Sequence, residues 1–261
     1  MSDEGGGMQL TVQGPVDSPI NTADDDRLID FYAYPDDLQS CWVRGNMIAS
    51  LDGGATDDGK AGGLAGAGDR ALFAMLRHLA DVIVVGASTV RIENYSGAQL
   101  SVAQRQARQR RGQAEVPPIA VVTRSGGLDP NTRFFTRTEV PPLILTCTRS
   151  VADTRSRLGA VAEVIDASGP DPDAAAPAVV LKILAERGLF RVLTEGGPLL
   201  LGSLIENELL DELCLTIAPV LVGGASKRTV TGVGNVHTKM RRAHLLADDE
   251  GYLYSRYVRG E

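Results

Sequence analysis

The sequence has few of the residues that build disulfide frameworks or metal centres. Its three cysteines, Cys41, Cys147 and Cys214, lie far apart, and it has only three histidines. No two cysteines have the CxxC spacing of structural zinc sites. We therefore expect neither a disulfide scaffold nor a bound metal.

Long apolar runs and excess positive charge are also missing. No apolar stretch reaches the roughly 18 residues that a transmembrane helix needs, and the first residues are acidic and glycine-rich, unlike a secretory signal. The net charge is −7 and the isoelectric point is about 5.1. These features predict a soluble cytoplasmic protein that binds neither nucleic acid nor anionic membranes.

Hydrophobic residues make up 43% of the chain, which is enough for a substantial core. Residues 1–28 lack apolar periodicity and predict a partly disordered acidic, glycine-rich tail. Residues 29–259 contain no obvious linker and predict a single domain. The helical stretch 101–115 is polar and Arg-rich, and it fits either a solvated connecting helix or a phosphate- or partner-binding patch.

Short apolar runs of the strand type alternate with amphipathic helices through this domain. The predicted strands are 43–49, 82–85, 119–123, 143–147, 161–165, 192–194, 213–222 and 252–258. Helices are predicted over 69–79, with Asp69 as the N-cap, and over 174–187 and 198–207. The pattern predicts an α/β domain with a mostly parallel sheet and an antiparallel or mixed edge.

Several familiar catalytic motifs are absent or misleading. The sequence has no P-loop and no GxSxG nucleophile elbow. The letters GxGxxA occur at residues 66–71, but the residues before them are Asp57, Asp58, Gly59 and Lys60. Because a dinucleotide fingerprint follows a hydrophobic strand, we interpret this stretch as a loop that leads into a helix.

A more informative turn, Glu195-Gly196-Gly197-Pro198, lies between a predicted strand and a predicted helix. Pro198 suits the first helical turn, and two glycines allow a ligand to approach the backbone. The amide hydrogens at a helix start favour a phosphate group. The turn fits either a phosphate socket or a ligand-free connection, and Glu195 lies where parallel sheets bind ligands.

Asp52 and the segment after residue 86 end two other strands. Asp52 precedes two glycines, so it is either a turn residue or a carboxylate that faces a ligand across the strand ends. Gly86-Ala87-Ser88-Thr89 has the small, hydroxyl-bearing residues of a helix N-cap or of a ligand-binding turn.

Four ordered segments carry a resemblance to a known family: NMIASLDG at 46–53, DRALFAMLRHLADVIVVGASTV at 69–90, PPIAVVTRSGGLDP at 117–130, and the segment from Val192 to Gly224. Together they resemble the reductase domain of the bacterial riboflavin-biosynthesis deaminase–reductase family, which has a dihydrofolate-reductase-like fold. The likeness covers roughly residues 40–258. The HxE and PCxxC signature of the zinc deaminase has no counterpart, so we expect a stand-alone reductase.

The resemblance implies NADPH as the cofactor, a small pyrimidine as the substrate and a homodimer. The implied cofactor contacts come from Ala49, Thr89, Glu93, Arg124, Gly196, Gly197, Pro198, Leu199 and Leu200, with Arg124 near the 2′-phosphate. It implies a substrate contact by Arg77. Tyr95 lies in the substrate region, and Asp52 and then Glu195 are the candidate catalytic acids for hydride transfer to a C=N bond.

This sequence departs from the family in the substrate segment. The family's usual D-D/N-P-x-L-x-x-R pattern after the TV pair is replaced by Arg91-Ile92-Glu93-Asn94-Tyr95, and its proline and arginine are missing. A pyrimidine-type riboflavin precursor, similar to 5-amino-6-(5-phosphoribosylamino)uracil, is the first expectation. The alternatives are a dihydrofolate or pterin reductase, a non-catalytic NADP(H) sensor and a carboxylate-pair hydrolase.

Overall fold

A single mixed sheet organises the chain in the computed structural model, which describes residues 9–12, 20–21, 26–232, 234 and 236–260. Its strands are β1 (Gln9–Val12), β2 (Ile20–Asn21), β3 (Trp42–Ser50), β4 (Val82–Gly86), β5 (Ile119–Val122), β6 (Leu143–Thr146), β7 (Glu163–Asp166), β8 (Arg191–Thr194), β9 (Glu212–Ala218), β10 (Met240–Asp248) and β11 (Leu253–Arg259). The strand order is β2-β1-β10-β11-β9-β3-β8-β4-β5-β6-β7.

The helices follow the alternation that the sequence predicts. They are α1 (Asp26–Phe31), α2 (Ala67–Leu79), α3 (Ala87–Ile92), α4 (Val102–Arg110), α5 (Arg133–Thr136), α6 (Thr148–Leu158), α7 (Pro177–Ala185) and α8 (Pro198–Glu206). A 3₁₀ turn covers Ala61–Gly63. Among the described residues, no helix combines the length and apolarity that crossing a bilayer requires.

Seven adjacent strands, from β9 to β7 in the sheet order, run parallel. β11, β10, β1 and β2 extend this block in antiparallel pairing. The predicted parallel sheet with an antiparallel edge is therefore confirmed. β10 was not predicted, because its exposed Arg241 and Arg242 and a bulge before His244 hide the alternation of apolar residues.

The alternation of side chains within β4 shows why both faces of the sheet are covered. Ile83 and Val85 point into one core cluster, which α2 also enters. Val82 and Val84 point into the opposite cluster, which is filled from α7 and α8. A strand that is buried on both faces has a continuous apolar sequence, which is typical of parallel sheets between helical layers.

The predicted tail, residues 1–28, is divided by the structure. Gln9–Val12 pairs with β10, and Ile20–Asn21 pairs with β1. Residues 1–8, 13–19 and 22–25 lie outside the described residues. The division into a tail and a domain at 28/29 thus stays a prediction, with two short strands of the sheet inside the predicted tail.

The Arg-rich helix is α4, and one of its arginines has a structural role. Ser101 and Gln104 form a capping box at its start. Arg108 is fully buried and donates hydrogen bonds to the carbonyls of His78 at 2.9 Å, Ala80 at 2.6 Å and Ala114 at 2.7 Å. It therefore satisfies carbonyl groups at the end of α2 that no helical amide can reach.

We expect Arg108→Met to lower the free energy of unfolding by about 2–4 kcal/mol, because several buried carbonyls lose their donor. Arg110→Met, on the exposed side of the same helix, should change it by less than about 0.5 kcal/mol. Urea unfolding of both variants is the measurement. Equal effects would contradict the capping role of Arg108.

Candidate active site

Three parallel strands, β3, β8 and β4, lie side by side and end at the same edge of the sheet. The chain leaves β8 through Glu195, Gly196 and Gly197 and enters α8 at Pro198. Ligand-binding crevices of parallel sheets form at this edge. The predicted phosphate-binding turn is therefore placed between two neighbouring strand ends.

Two hydrogen bonds to the end of β4 and to α3 hold this turn. The Gly86 amide donates to the Gly196 carbonyl at 3.1 Å, and the Gly197 amide donates to Thr89 Oγ1 at 3.0 Å. Gly196 has a φ of +92°, which favours glycine. A Cβ built on Gly197 would lie 3.0 Å from Thr89 Oγ1, so a side chain there would crowd the turn.

The turn separates two clefts of similar size. The first, of about 870 Å³, extends toward α2, the 55–65 loop and Tyr95. The second, of about 840 Å³, extends toward Arg124, α7 and the start of α8. Both are lined by Ser88, Gly197, Pro198 and Lys227. A long ligand can thus lie in one cleft and present its end to a second ligand in the other.

Lys227 is a functional candidate that sequence reasoning missed. It lies in the irregular segment between β9 and β10, and its backbone carbonyl accepts a hydrogen bond from the Ala55 amide at 2.7 Å. Lys227 borders both clefts, so its positive charge lies beside the Gly196–Pro198 turn. From the sequence we expected only amide hydrogens to bind a phosphate at this turn. The single lysine in a loop carries no motif that could have identified it.

The most strongly paired charges of the first cleft are Arg77 and Glu195. Arg77 Nε and Nη2 donate to the two oxygens of Glu195, each at 2.6 Å. The Tyr95 hydroxyl donates to Glu195 Oε2 at 2.9 Å. The Arg77 guanidinium also lies 4.3 Å from the centroid of the Phe73 ring. Three predicted site residues are therefore brought together, and the Glu195 carboxylate is fixed rather than free.

The local sequence explains how Tyr95 reaches this pair. Asn94 has a φ of +51°, and the Tyr95 amide donates to the Val90 carbonyl at 3.1 Å. This is the Schellman arrangement that ends a helix, with Asn94 at the left-handed position. Burial, followed by the charge of Glu195, raises the pKa of Tyr95 well above its usual value. The phenol therefore stays protonated and acts as a donor.

Glu93 reaches the loop that covers the first cleft. Its carboxylate accepts a hydrogen bond from the Ala61 amide at 2.9 Å, at the 3₁₀ turn. At the other end of this turn, the Tyr252 hydroxyl donates to the Leu64 carbonyl at 3.0 Å. Glu93 lines the first cleft and not the second, and it also holds the 3₁₀ turn there. Its contact with the cofactor stays a prediction.

Asp52 is exposed and holds backbone groups of a neighbouring loop. It accepts hydrogen bonds from Ser50 Oγ at 2.5 Å and from the amides of Val222 at 3.2 Å and Gly223 at 2.7 Å. These bonds, led by that from Ser50, lower its pKa to about 2. Asp52 is not among the residues that line the clefts. This geometry favours loop positioning over proton transfer.

Of the remaining predicted cofactor residues, three line the second cleft and one lines neither cleft. Arg124, Leu199 and Leu200 line the second cleft, and Leu199 is 71% exposed there. Ala49 is buried in β3 and lines neither cleft. Arg91, which was not predicted as a site residue, also lines the second cleft and donates to the Gly127 carbonyl at 2.9 Å.

Asp69 does not cap α2, which corrects the sequence-based expectation. The N-cap is Gly66, and Asp69 lies in the first turn with its side chain buried against the first cleft. A Cβ on Gly66 would lie 2.7 Å from the Tyr252 ring, so this ring requires glycine there. Burial raises the pKa of Asp69, while the Thr216 hydroxyl and Arg70 lower it in part.

Solved structures share this architecture. A pyrimidine reductase-like protein from Corynebacterium diphtheriae superposes with a TM-score of 0.76 and 25% identity, over 92% of this chain and 96% of that one. The riboflavin biosynthesis reductase of Saccharomyces cerevisiae superposes with a TM-score of 0.64 and 15% identity, over 90% and 99% of the chains. The protein is therefore an α/β domain with the dihydrofolate-reductase-like fold of reductases.

The sequence comparisons identify a family within this fold. The model of the RibD C-terminal domain matches residues 41–254, and the chain belongs to this family. A 2,5-diamino-6-ribosylamino-4(3H)-pyrimidinone 5′-phosphate reductase of Archaeoglobus fulgidus is 28% identical over 208 residues, 79% of this chain and 93% of that protein. The riboflavin biosynthesis protein RibD of Bacillus amyloliquefaciens is 31% identical over 186 residues, 70% and 47% of the two chains.

We expect Arg77→Met to lower the free energy of unfolding by about 3–5 kcal/mol, because it leaves the buried Glu195 carboxylate without its cation. Arg105→Met is the control, since it breaks an exposed pair with Glu139 and should leave the unfolding midpoint nearly unchanged. Denaturant unfolding compares them. An unchanged unfolding midpoint in Arg77→Met would show that the Arg77–Glu195 pair does not stabilise the fold.

Proposed function

We propose that the chain is an NADPH-dependent reductase that adds a hydride to a C=N bond of a pyrimidine-type riboflavin precursor. Its family and the activities named for its relatives support a reductase of this pathway. The observation that carries the proposal is the Gly196–Pro198 turn, whose Gly197 and Pro198 line both clefts. A dinucleotide in the second cleft would end beside a heterocycle in the first.

The second cleft has features that suit NADPH. Gly197 leaves room for a diphosphate against the backbone, and the first turn of α8 supplies amide hydrogens. Lys227 adds a cation at the same junction. At the far end, Arg124 is exposed and free to approach a 2′-phosphate, for which a guanidinium is well suited. When bound, NADPH supplies the hydride.

The chain's own contribution is to position the substrate and to limit water. Glu195 and Tyr95 hold the Arg77 guanidinium beside the Phe73 ring. The Arg77 side chain is still 16% exposed, so part of it faces the cleft. Glu93 and Tyr252 hold the 61–64 turn against this cleft. Such positioning accounts for much of the rate in hydride transfer, because the reacting atoms must approach closely.

The family resemblance also leads us to propose a homodimer in the cytoplasm, which sedimentation and fractionation can test. The function itself is tested by NADPH oxidation with 2,5-diamino-6-ribosylamino-4(3H)-pyrimidinone 5′-phosphate and with 5-amino-6-(5-phosphoribosylamino)uracil. Loss of the reduced-nicotinamide absorbance with either substrate is the expected result. Tight NADPH binding without oxidation of any pyrimidine or dihydropterin would instead favour a sensor.

Arg124→Ala should weaken NADPH binding at least about tenfold, equivalent to about 1.4 kcal/mol, and leave NADH binding unchanged. The reason is that the two cofactors differ only in the 2′-phosphate. Calorimetric titration of both cofactors measures the effect, and Arg133→Ala, on the exposed side of α5, is the control. Equal losses for NADPH and NADH would remove Arg124 from the 2′-phosphate contact.

Glu195→Gln should lower kcat/KM by about 10²-fold, because an amide cannot accept both Arg77 bonds and the substrate site loses its order. Asp52→Asn should have a small effect on turnover and should mainly loosen the loop at Val222. Steady-state kinetics together with thermal unfolding measure both variants. Loss of turnover in Asp52→Asn at an unchanged unfolding midpoint would restore a catalytic role for Asp52.

A further inference from the structure

The second cleft carries only positive charge among the described residues that line it. Its three charged side chains are Arg91, Arg124 and Lys227, and no carboxylate borders it. The first cleft differs, because five carboxylates line it together with three cations. The whole chain has a net charge of −7. The second cleft is therefore a local exception that suits a ligand with several negative charges.

The three cations lie at two separate places in this cleft. Lys227 also lines the first cleft, so it lies at the junction of the two clefts, with Gly197 and Pro198. Arg91 and Arg124 line the second cleft alone. They come from different elements, because Arg91 is in the last turn of α3 and Arg124 follows β5. NADPH has a similar distribution of charge, with a diphosphate between its nucleosides and a further phosphate on its adenosine.

A hydrogen bond places the Arg91 guanidinium at the loop that carries Arg124. Arg91 Nη1 donates to the Gly127 carbonyl at 2.9 Å. This bond uses one of the five N–H groups of a guanidinium. Both arginines are exposed, and neither forms an ion pair with a carboxylate of the described residues. Most donors of the two guanidinium groups are therefore available to a ligand.

The loop after β5 is held from the side of α6. The Arg124 carbonyl accepts hydrogen bonds from Ser150 Oγ at 2.7 Å and from Cys147 Sγ at 3.1 Å. The Gly126 carbonyl accepts one from Arg157 Nη2 at 3.1 Å. A ligand at this loop therefore meets a backbone that is already positioned, which lowers the entropic cost of binding.

We propose that Arg91 and Arg124 bind the adenosine 2′-phosphate of NADPH from two sides, so that Arg91 is a second determinant of the preference for NADPH over NADH. This inference rests on the proposed function. A phosphate monoester carries about −1.5 to −2 charges at pH 7, which exceeds the charge of one guanidinium. Two guanidinium groups on different elements can donate to different oxygens of the same phosphate.

Arg157 provides a matched control for this direct contact. It is an arginine that donates to the same loop, one residue before the carbonyl that Arg91 holds, but it lines neither cleft. Its removal tests whether a loss of bracing is enough to change cofactor preference. Removal of Arg91 tests bracing and phosphate contact together, so the difference between the two variants isolates the contact.

Arg91→Met should weaken NADPH binding at least about tenfold and leave NADH binding within about twofold. Calorimetric titration of both cofactors gives the ratio of their dissociation constants, and circular dichroism verifies that each variant is folded. Arg157→Met should keep the ratio of the unaltered protein. An unchanged ratio in folded Arg91→Met, or an equal change of the ratio in Arg157→Met, would overturn the inference.

The double variant Arg91→Met, Arg124→Ala removes both proposed contacts. It should bind NADPH and NADH with affinities that agree within about threefold, because the uncharged side chains no longer distinguish the 2′-phosphate. The same calorimetric titrations measure this. A preference for NADPH that stays above about tenfold would show that another group binds the 2′-phosphate, and it would exclude the two-arginine contact.

Adenosine 2′,5′-bisphosphate and adenosine 5′-monophosphate separate this inference from the reductase proposal, because neither contains a nicotinamide. The bisphosphate should bind the unaltered protein at least about tenfold more tightly, and Arg91→Met should remove most of this difference. If this result is obtained but NADPH reduces no pyrimidine or dihydropterin, the reductase proposal fails and the inference holds. If a pyrimidine is reduced but Arg91→Met has no selective effect, the reductase proposal holds and the inference fails.

Discussion

The turn from Gly196 to Pro198 is the constraint on which the rest of the site depends. It is held from two sides, by Gly86 through a backbone hydrogen bond and by the Thr89 hydroxyl. Because it lies between the ends of β8 and β4, it forms a wall of both clefts at once. Movement of this turn would change the distance between the two ligands of the proposed hydride transfer.

The environment gives each acid of the site its own task. Glu195 is saturated by Arg77 and Tyr95, which makes it a positioning group. Asp52 is held by amides at an exposed place and orders a loop. Asp69 is buried in the first turn of α2 and lines the first cleft. The same carboxylate group thus positions Arg77 in one place and holds a loop in another, according to its burial and its partners.

Sequence reasoning succeeded where the periodicity was strong. Continuous apolar runs such as Val82–Val85 predicted buried parallel strands, and Pro198 after two glycines predicted the start of α8 correctly. It failed at β10, where a bulge and exposed arginines break the pattern, and at Asp69, whose residue type suggested an N-cap. In both places tertiary contacts outweighed the local preference.

The sequence by itself determined the α/β class, the parallel block of strands and the glycine turn, because these depend on side-chain period and on local backbone preferences. The tertiary structure alone decided which charges meet. Arg77 and Glu195 are 118 residues apart, and Lys227 reaches the turn from a loop without a motif. Pairing across such distances depends on strand order and packing, and neither is encoded in the spacing of residues along the chain.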